Sequence, residues 1–214
     1  MDDMILSLFV CLVIPITMSM LILKDKSRSL VLFMVFGMFM CLFAGQINSL
    51  ILNLSGTDTY TMTTSVTPVV EEILKAIPIL TLYLLFKPER QFLLECSVMI
   101  GLGFSLLENG FILLNSVSHL TFIMALFRGL GSAMLHVATA VSVGFGILKF
   151  GIRKKTLIPG AYAVLLAAMV FHAVYNMFVQ SDKLMYFGIL LPILAFIPLV
   201  IYISKHRKSD PAVC

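Results

Sequence analysis

Hydrophobic residues fall in long unbroken blocks, without the alternation of a strand or the one-sided stripe of a surface helix. Blocks long enough to cross about 30 Å of hydrocarbon occupy roughly 4–23, 29–54, 67–86, 92–116, 129–149, 158–179 and 184–204. They predict an all-α fold, a polytopic membrane bundle of about seven transmembrane helices, because a helix satisfies its own backbone in lipid within one segment. The connections between the blocks alternate in charge. Lys24, Lys26 and Arg28, then Lys87 and Arg90, then Lys149, Arg153, Lys154 and Lys155, then Lys205, Arg207 and Lys208 fall in every second connection. The others, at 55–66, 115–119 and 180–183, carry only Lys183 among basic residues. The positive-inside rule then places the N-terminus outside and the C-terminus in the cytoplasm.

Composition agrees with this pattern and narrows it. The 214 residues are 60% hydrophobic and only 12% charged, with a mean hydropathy of +1.04. That is too apolar for a soluble domain. No repeat and no long polar stretch is visible, so residues 1–214 read as one membrane-embedded domain without a module for nucleic acid. The net charge of +4 collects at the cytoplasmic leaflet, where acidic lipid headgroups of the bilayer are its partner. The first block opens on the acidic MDDM and shows no small-residue cleavage site, which reads as a retained helix. Cys11, Cys41 and Cys96 lie within blocks and Cys214 ends the chain, with no CxxC pair to suggest a thiolate metal site.

The third block is interrupted where lipid tolerates interruption least. Glu71, Glu72 and Lys75 sit in TPVVEEILKAIP, residues 67–78, with apolar sequence on both sides. Ionisable groups near mid-span cost roughly 2.5–3.5 kcal/mol each and mark functional sites. Thr67 is placed to cap a helix and Pro68 to occupy its first position. The two glutamates then fall in the first turns, where the helix dipole favours anions, and Lys75 can reach either one along the helix surface. Pro78 frees a carbonyl one turn earlier, which predicts a polar, hydrated pocket nearby.

Other blocks carry partners for these groups. In GLGFSLLENG, residues 101–110, Gly101, Ser105 and Glu108 share a helix face, and Asn109 adjoins it. Glu95 lies by the basic connection and reads as interfacial; Gln46 and Asn48 are the polar residues of the second block. Residues 119–128 either form an interfacial stretch or extend the fifth helix, and Arg128 there either snorkels or pairs with an acid. Gly129, Ser132, His136 and Thr139 line one face of the fifth helix, while His172 and Asn176 stand above Ala168 on the sixth. His119 and His206 carry no signal. Counted at about 1.5 Å per residue from the outer helix ends, Glu71 and Glu72 lie roughly 6–8 Å deep, and Glu108, His136 and His172 roughly 10–12 Å deep. Unsupported, the five would cost on the order of 12–17 kcal/mol. They must share hydrogen bonds, water, protons or a metal, which is an inventory for activating water.

The ordered set EExxK at 71–75, GLGFSLLEN at 101–109, an Arg-led helix with His136, and HxxYN at 172–176 resembles the PrsW family of bacterial intramembrane proteases. More distantly it is similar to the CAAX prenyl protease superfamily. The resemblance covers about residues 66–180. Two features depart from the CAAX pattern: the base after the glutamate pair is Lys75, one position earlier than that pattern's arginine, and Phe104 is followed four residues later by Glu108 where that pattern has histidine. The resemblance implies an endopeptidase in the bacterial plasma membrane that cuts a membrane-anchored protein, such as an anti-sigma factor, on its outer side. It implies catalytic roles for Glu71, Glu72, Glu108, His136 and His172. In this reading Glu71 or Glu72 is the general base, the histidines orient water or protonate the leaving amine, and Asn176 donates to the oxyanion. Lys75, Asn109 and Arg128 support them. Metal-free water activation is favoured; the variant is a zinc site drawn from His136, His172 and one or two of Glu71, Glu72 and Glu108, although HExxH is absent. Two readings compete with a protease: a non-catalytic scaffold of the same fold, and a proton-coupled transporter.

Overall fold

The computed structural model describes residues 2–116, 122–151, 154–181 and 183–207. His119, Arg153, Lys208, Cys214 and the start of the 119–128 stretch lie outside the described residues. The elements are α1 (Asp2–Ser19), α2 (Asp25–Ser55), a single turn α3 (Thr59–Thr61), a π-helix (Met62–Val66), α4 (Thr67–Phe86), α5 (Arg90–Ser116), α6 (Phe122–Gly151), α7 (Lys154–Val179) and α8 (Met185–Arg207). All-α architecture is therefore seen among the described residues, and each expected block coincides with a long helix. Helices α2, α5, α6 and α7 are long and apolar enough to cross a membrane, while α1 and α8 contain shorter apolar stretches. At 20 residues α4 has the length of a span. Its three ionisable residues make it the least lipid-like of the set. From Phe122 onward the 119–128 stretch belongs to α6.

The approach to α4 differs from the expected capped start. Asp58 caps the helical run instead, accepting from the Thr61 N–H at 2.9 Å, and the backbone stays helical from Thr59 through Thr67. Thr67 has φ −53° and ψ −47°, helical values that exclude a cap. Pro68 explains the π-helix in between. It has no N–H to give and its ring crowds the preceding turn, so the hydrogen-bond register widens by one residue ahead of it. The Thr67 N–H accordingly bonds the Met62 carbonyl, five residues back. That leaves the Thr63 carbonyl without its usual helical donor. The two glutamates thus sit more than two turns inside a helical run, and the dipole of a free N-terminus is not what holds them.

Helices in lipid gain little from burying apolar surface against one another, so close backbone approach and dense packing carry their association. Glycines on two sides of α5 provide it. A Cβ on Gly103 would collide with the Met34 carbonyl oxygen of α2, and one on Gly37 of α2 with the Ile100 carbonyl oxygen of α5. On the opposite side of α5, a Cβ on Gly101 would stand 2.6 Å from the His136 carbonyl oxygen of α6. The α5 helix is therefore clamped between α2 and α6, with α4 set against α2, α6 and α7. Toward the basic end, Ile79, Leu82, Leu93, Ile100, Ala140, Val143, Ile147 and Ala168 close the bundle as an apolar plug. Phe9, Met38, Cys41, Ala44, Phe104 and Leu107 fill the space between α1, α2 and α5. The outer surface is apolar, with Ile22 83% and Ile158 78% exposed.

Replacing Gly103 by alanine is expected to destabilise the protein by about 1–3 kcal/mol, as overpacking does. Gly129→Ala, where a Cβ meets nothing within 4 Å, is expected to leave stability unchanged or slightly raised. Thermal unfolding in detergent, followed by a thiol-reactive dye that reports exposure of the buried Cys41 and Cys96, compares the two.

Candidate active site

Below the π-helix, α4, α5, α6 and α7 turn their polar side chains toward one another. The helices alternate in direction, and each side chain enters one turn away from the apolar plug: Lys75 precedes Ile79, His136 precedes Ala140, and His172 follows Ala168. Close contact at Gly101 brings the next turns of α5 and α6 together as well, so that Ser105 meets Ser132 and Glu108 meets His136. Lys75, Glu72 and His136 are each 1% exposed, His172 is 2% and Glu71 6%.

Lys75 is at the centre. A lysine offers three N–H groups and no acceptor. Its Nζ meets three acceptors: Glu72 Oε1 at 2.7 Å, His136 Nδ1 at 2.8 Å and Thr139 Oγ1 at 3.2 Å. The Phe104 ring lies beneath, its centroid 5.1 Å from the nitrogen. Because lysine can only donate, His136 Nδ1 accepts and the ring proton resides on Nε2. That proton goes to Glu108 Oε2 at 2.8 Å. Ser132 donates to the same oxygen at 3.0 Å, Ser105 lies 3.4 Å from Ser132, and Asn109 Nδ2 donates to Ser105 at 2.9 Å. One direction of donation, from Asn109 through both serines to Glu108, satisfies the chain.

The second histidine is fixed differently. Glu72 Oε1 also accepts from His172 Nδ1 at 2.7 Å, so that in the neutral ring the lone pair of His172 is on Nε2. It faces Glu71 Oε2 across 3.7 Å, too long for a hydrogen bond. Glu71 Oε2 and Glu72 Oε2 are buried and have no hydrogen-bond partner. Two buried carboxylate oxygens are thus left without a donor on residues that flank His172, which suits a cation or a water at that place. Ligand atoms of Glu71, His136 and His172 all lie within 4.8 Å of one another, so this group could hold a metal ion. Two imidazoles and a carboxylate are also a common donor set of catalytic zinc sites. His136 can join that set at Nδ1 if Lys75 withdraws to Glu72 and Thr139. Its Nε2–H would then stay on Glu108, the outer partner that orients a ligating imidazole.

A cavity of about 210 Å³ opens from this cluster toward the Thr-rich end. Glu108, His136 and His172 form its floor, Ser132, Tyr175 and Arg128 its wall, and Thr63, Asn176 and Gln180 its mouth. Asn176 Nδ2 donates at 2.9 Å to the Thr63 carbonyl that the π-helix releases, and Thr63 Oγ1 donates to Gln180 at 3.0 Å. The hydrated pocket expected beside Pro78 is therefore displaced to this end. Pro78 itself lines a cavity walled by Phe33, Phe36, Phe86 and Phe92. A larger cavity of about 740 Å³ between α6, α7 and α8 has mostly apolar walls and neither a carboxylate nor an imidazole.

Of the residues singled out from sequence, Glu71, Glu72, Lys75, Glu108, His136 and His172 come together in one cluster, with Asn109, Arg128 and Asn176 at its edges. Glu95 lies apart, 2.6 Å from Lys26. Arg128 is half-buried beside Glu108, whose charge it feels, but it forms no ion pair among the described residues and its Nε is buried without a partner. Thr63 and Gln180 were not singled out from sequence, and Tyr175 entered only as part of the HxxYN motif. Gln180, one turn beyond Asn176 on the same face, was accessible from spacing alone; Thr63 was not, since its place depends on the shifted register ahead of Pro68.

Removing the central amine tests the electrostatic arrangement. Lys75→Met is expected to cost roughly 3–5 kcal/mol, because it leaves the Glu72 carboxylate buried without its cation. The double variant Lys75→Met with Glu72→Gln is expected to recover part of that loss in the same thermal assay. Additive effects would show that the two groups are not coupled.

Among curated proteins and among solved structures, nothing matches the chain. The family model described as PrsW family intramembrane metalloprotease matches residues 26–203, which adds α2 and most of α8 to the stretch that carries the sequence motifs. With most of its length matched and its Glu and His side chains gathered in one buried cluster, the chain belongs to the PrsW family of intramembrane metalloproteases and is a multi-pass membrane protease.

Proposed function

We propose that the buried cluster is the hydrolytic centre, that it holds a divalent ion, zinc by its donor set, and that it cuts a membrane-anchored protein near the outer leaflet of a bacterial plasma membrane. The observation that carries this reading is that ligand atoms of Glu71, His136 and His172 lie within 4.8 Å of one another, with Glu71 Oε2 buried and without a hydrogen-bond partner. Glu71, His136 and His172 would hold the ion, which supplies Lewis acidity to the scissile carbonyl and to water. This donor set moves the preference away from metal-free activation.

The remaining roles belong to the protein's own groups. Glu72 has one oxygen fixed by Lys75 and His172 and the other free, so it can take a proton from water without changing position. Glu108 holds the His136 ring through Nε2. Asn176 uses one amide N–H on Thr63 and retains a second, which faces the cavity it lines and can donate to an oxyanion. The cavity opens at the end opposite the basic connections. With those connections in the cytoplasm, the substrate's exterior juxtamembrane segment is the part that reaches the cluster, as cleavage of an anti-sigma factor would require.

Purified protein in detergent, mixed with a single-span reporter carrying an exposed juxtamembrane segment, tests this. Wild type is expected to cut the reporter. Glu72→Gln and His172→Ala are each expected to lower the rate by about 10²–10⁴-fold, with unchanged elution on gel filtration. Cleavage that persists in both variants would remove these residues from the chemistry, and a folded wild type that cuts nothing would favour a scaffold.

A further inference from the structure

Arg128 is the cation of the cluster whose bonding capacity is unused. Lys75 has three acceptors for three donors, but the Arg128 Nε is buried with no partner, and its guanidinium makes no hydrogen bond or ion pair among the described residues. Glu108, which lines the same cavity, attracts it through space, but Glu108 Oε2 is taken by His136 and Ser132 and no hydrogen bond joins the two residues among the described ones. A guanidinium within a membrane helix is costly, and an Nε buried without a hydrogen bond adds to that cost.

Its position says what would. Arg128 lines the 210 Å³ cavity that Glu108, His136 and His172 floor. It also lines a second cavity of about 250 Å³, bounded by Leu8, Leu12, Leu106 and Leu113. It is thus the wall between the reactive cluster and an apolar side pocket. A side chain entering that pocket from a peptide held over the cluster would lay its methylenes on the leucines and its end on the guanidinium. The planar fork of arginine matches a carboxylate with two parallel hydrogen bonds, an acceptor geometry that neutral side chains lack.

We propose that Arg128 forms a carboxylate-binding subsite of the proteolytic cavity, which selects substrates with an aspartate or glutamate beside the scissile bond. The inference rests on the protease reading of the same cavity. A charge-assisted contact of this kind is worth about tenfold in selectivity.

The experiment uses the full-length protein in dodecyl maltoside, free of added phospholipid, and a set of single-span reporters. These carry Glu, Gln or Lys in turn at each residue flanking the cut, with products identified by mass spectrometry. Wild type is expected to prefer Glu over Gln about tenfold at one position, mostly through KM. In Arg128→Gln that ratio should fall to near one, Arg128→Lys should restore part of it, and Arg128→Glu should favour the Lys reporter there. The reversed preference is a gain that misfolding cannot produce. An acid preference unchanged in Arg128→Gln would overturn the proposal, as would its absence in wild type or an equal loss on every reporter. Cleavage of none of the reporters by wild type would instead bring down the protease reading, and this subsite with it.

Discussion

The amine of Lys75, enclosed by a carboxylate, an imidazole and a hydroxyl from α4 and α6, is the contact on which the rest of the structure depends. Burying a carboxylate and an ammonium together often gains less than filling the same space with apolar side chains. The arrangement therefore makes little sense as a device for stability. It makes sense as a device for order. Because the amine can only donate, it fixes which nitrogen of His136 carries the proton, and hence what Glu108 accepts and the direction in which Ser132, Ser105 and Asn109 donate. By holding one oxygen of Glu72 beside His172 it also leaves that residue's second oxygen free. One lysine thereby sets the hydrogen-bonding state of residues on four helices.

Backbone geometry brings those helices within reach. Glycines on both flanks of α5 let α2 and α6 approach to backbone contact, and the turn after Gly101 is the one that delivers Ser105 and Glu108 to α6. At the open end Pro68 acts through the hydrogen bond it cannot make. The widened turn releases the Thr63 carbonyl, Asn176 takes it up, and α7 is tied to the segment that forms the cavity's mouth. The apolar plug of Ile79, Ile100, Ala140 and Ala168 closes the other side, so that the cavity leads to Glu108, His136 and His172 from the mouth alone.

Much of this was readable in the chain before its fold was known, for a definite reason. Helical rise is fixed and lipid thickness nearly so, hence the depth of Glu71, Glu72, Glu108, His136 and His172 follows from counting residues, and their common depth implied a meeting. Spacing likewise placed Gly101, Ser105 and Glu108 on one face. Choices that depend on tertiary contact were not readable. Lys75 lies three residues after Glu72 and four after Glu71, and local geometry permits either pair; His172 from α7 decides for Glu72. Thr67 and Pro68 have the sequence of a helix start, yet Asp58 had already begun the helix, so the same proline produced a π-turn. Arg128 offered two familiar outcomes, and spacing could not show that its Nε would be buried without a partner at the wall of the cavity.

The account stands on the claim that Glu71, His136 and His172 act as one ligand set. Zinc K-edge X-ray absorption on the zinc-loaded protein tests it most directly. The account predicts a four-coordinate shell of nitrogen and oxygen at roughly 2.0–2.1 Å, with scattering from two imidazoles that falls to one in His172→Ala. A sulfur shell at about 2.3 Å, or a spectrum that His172→Ala leaves unaltered, would contradict it.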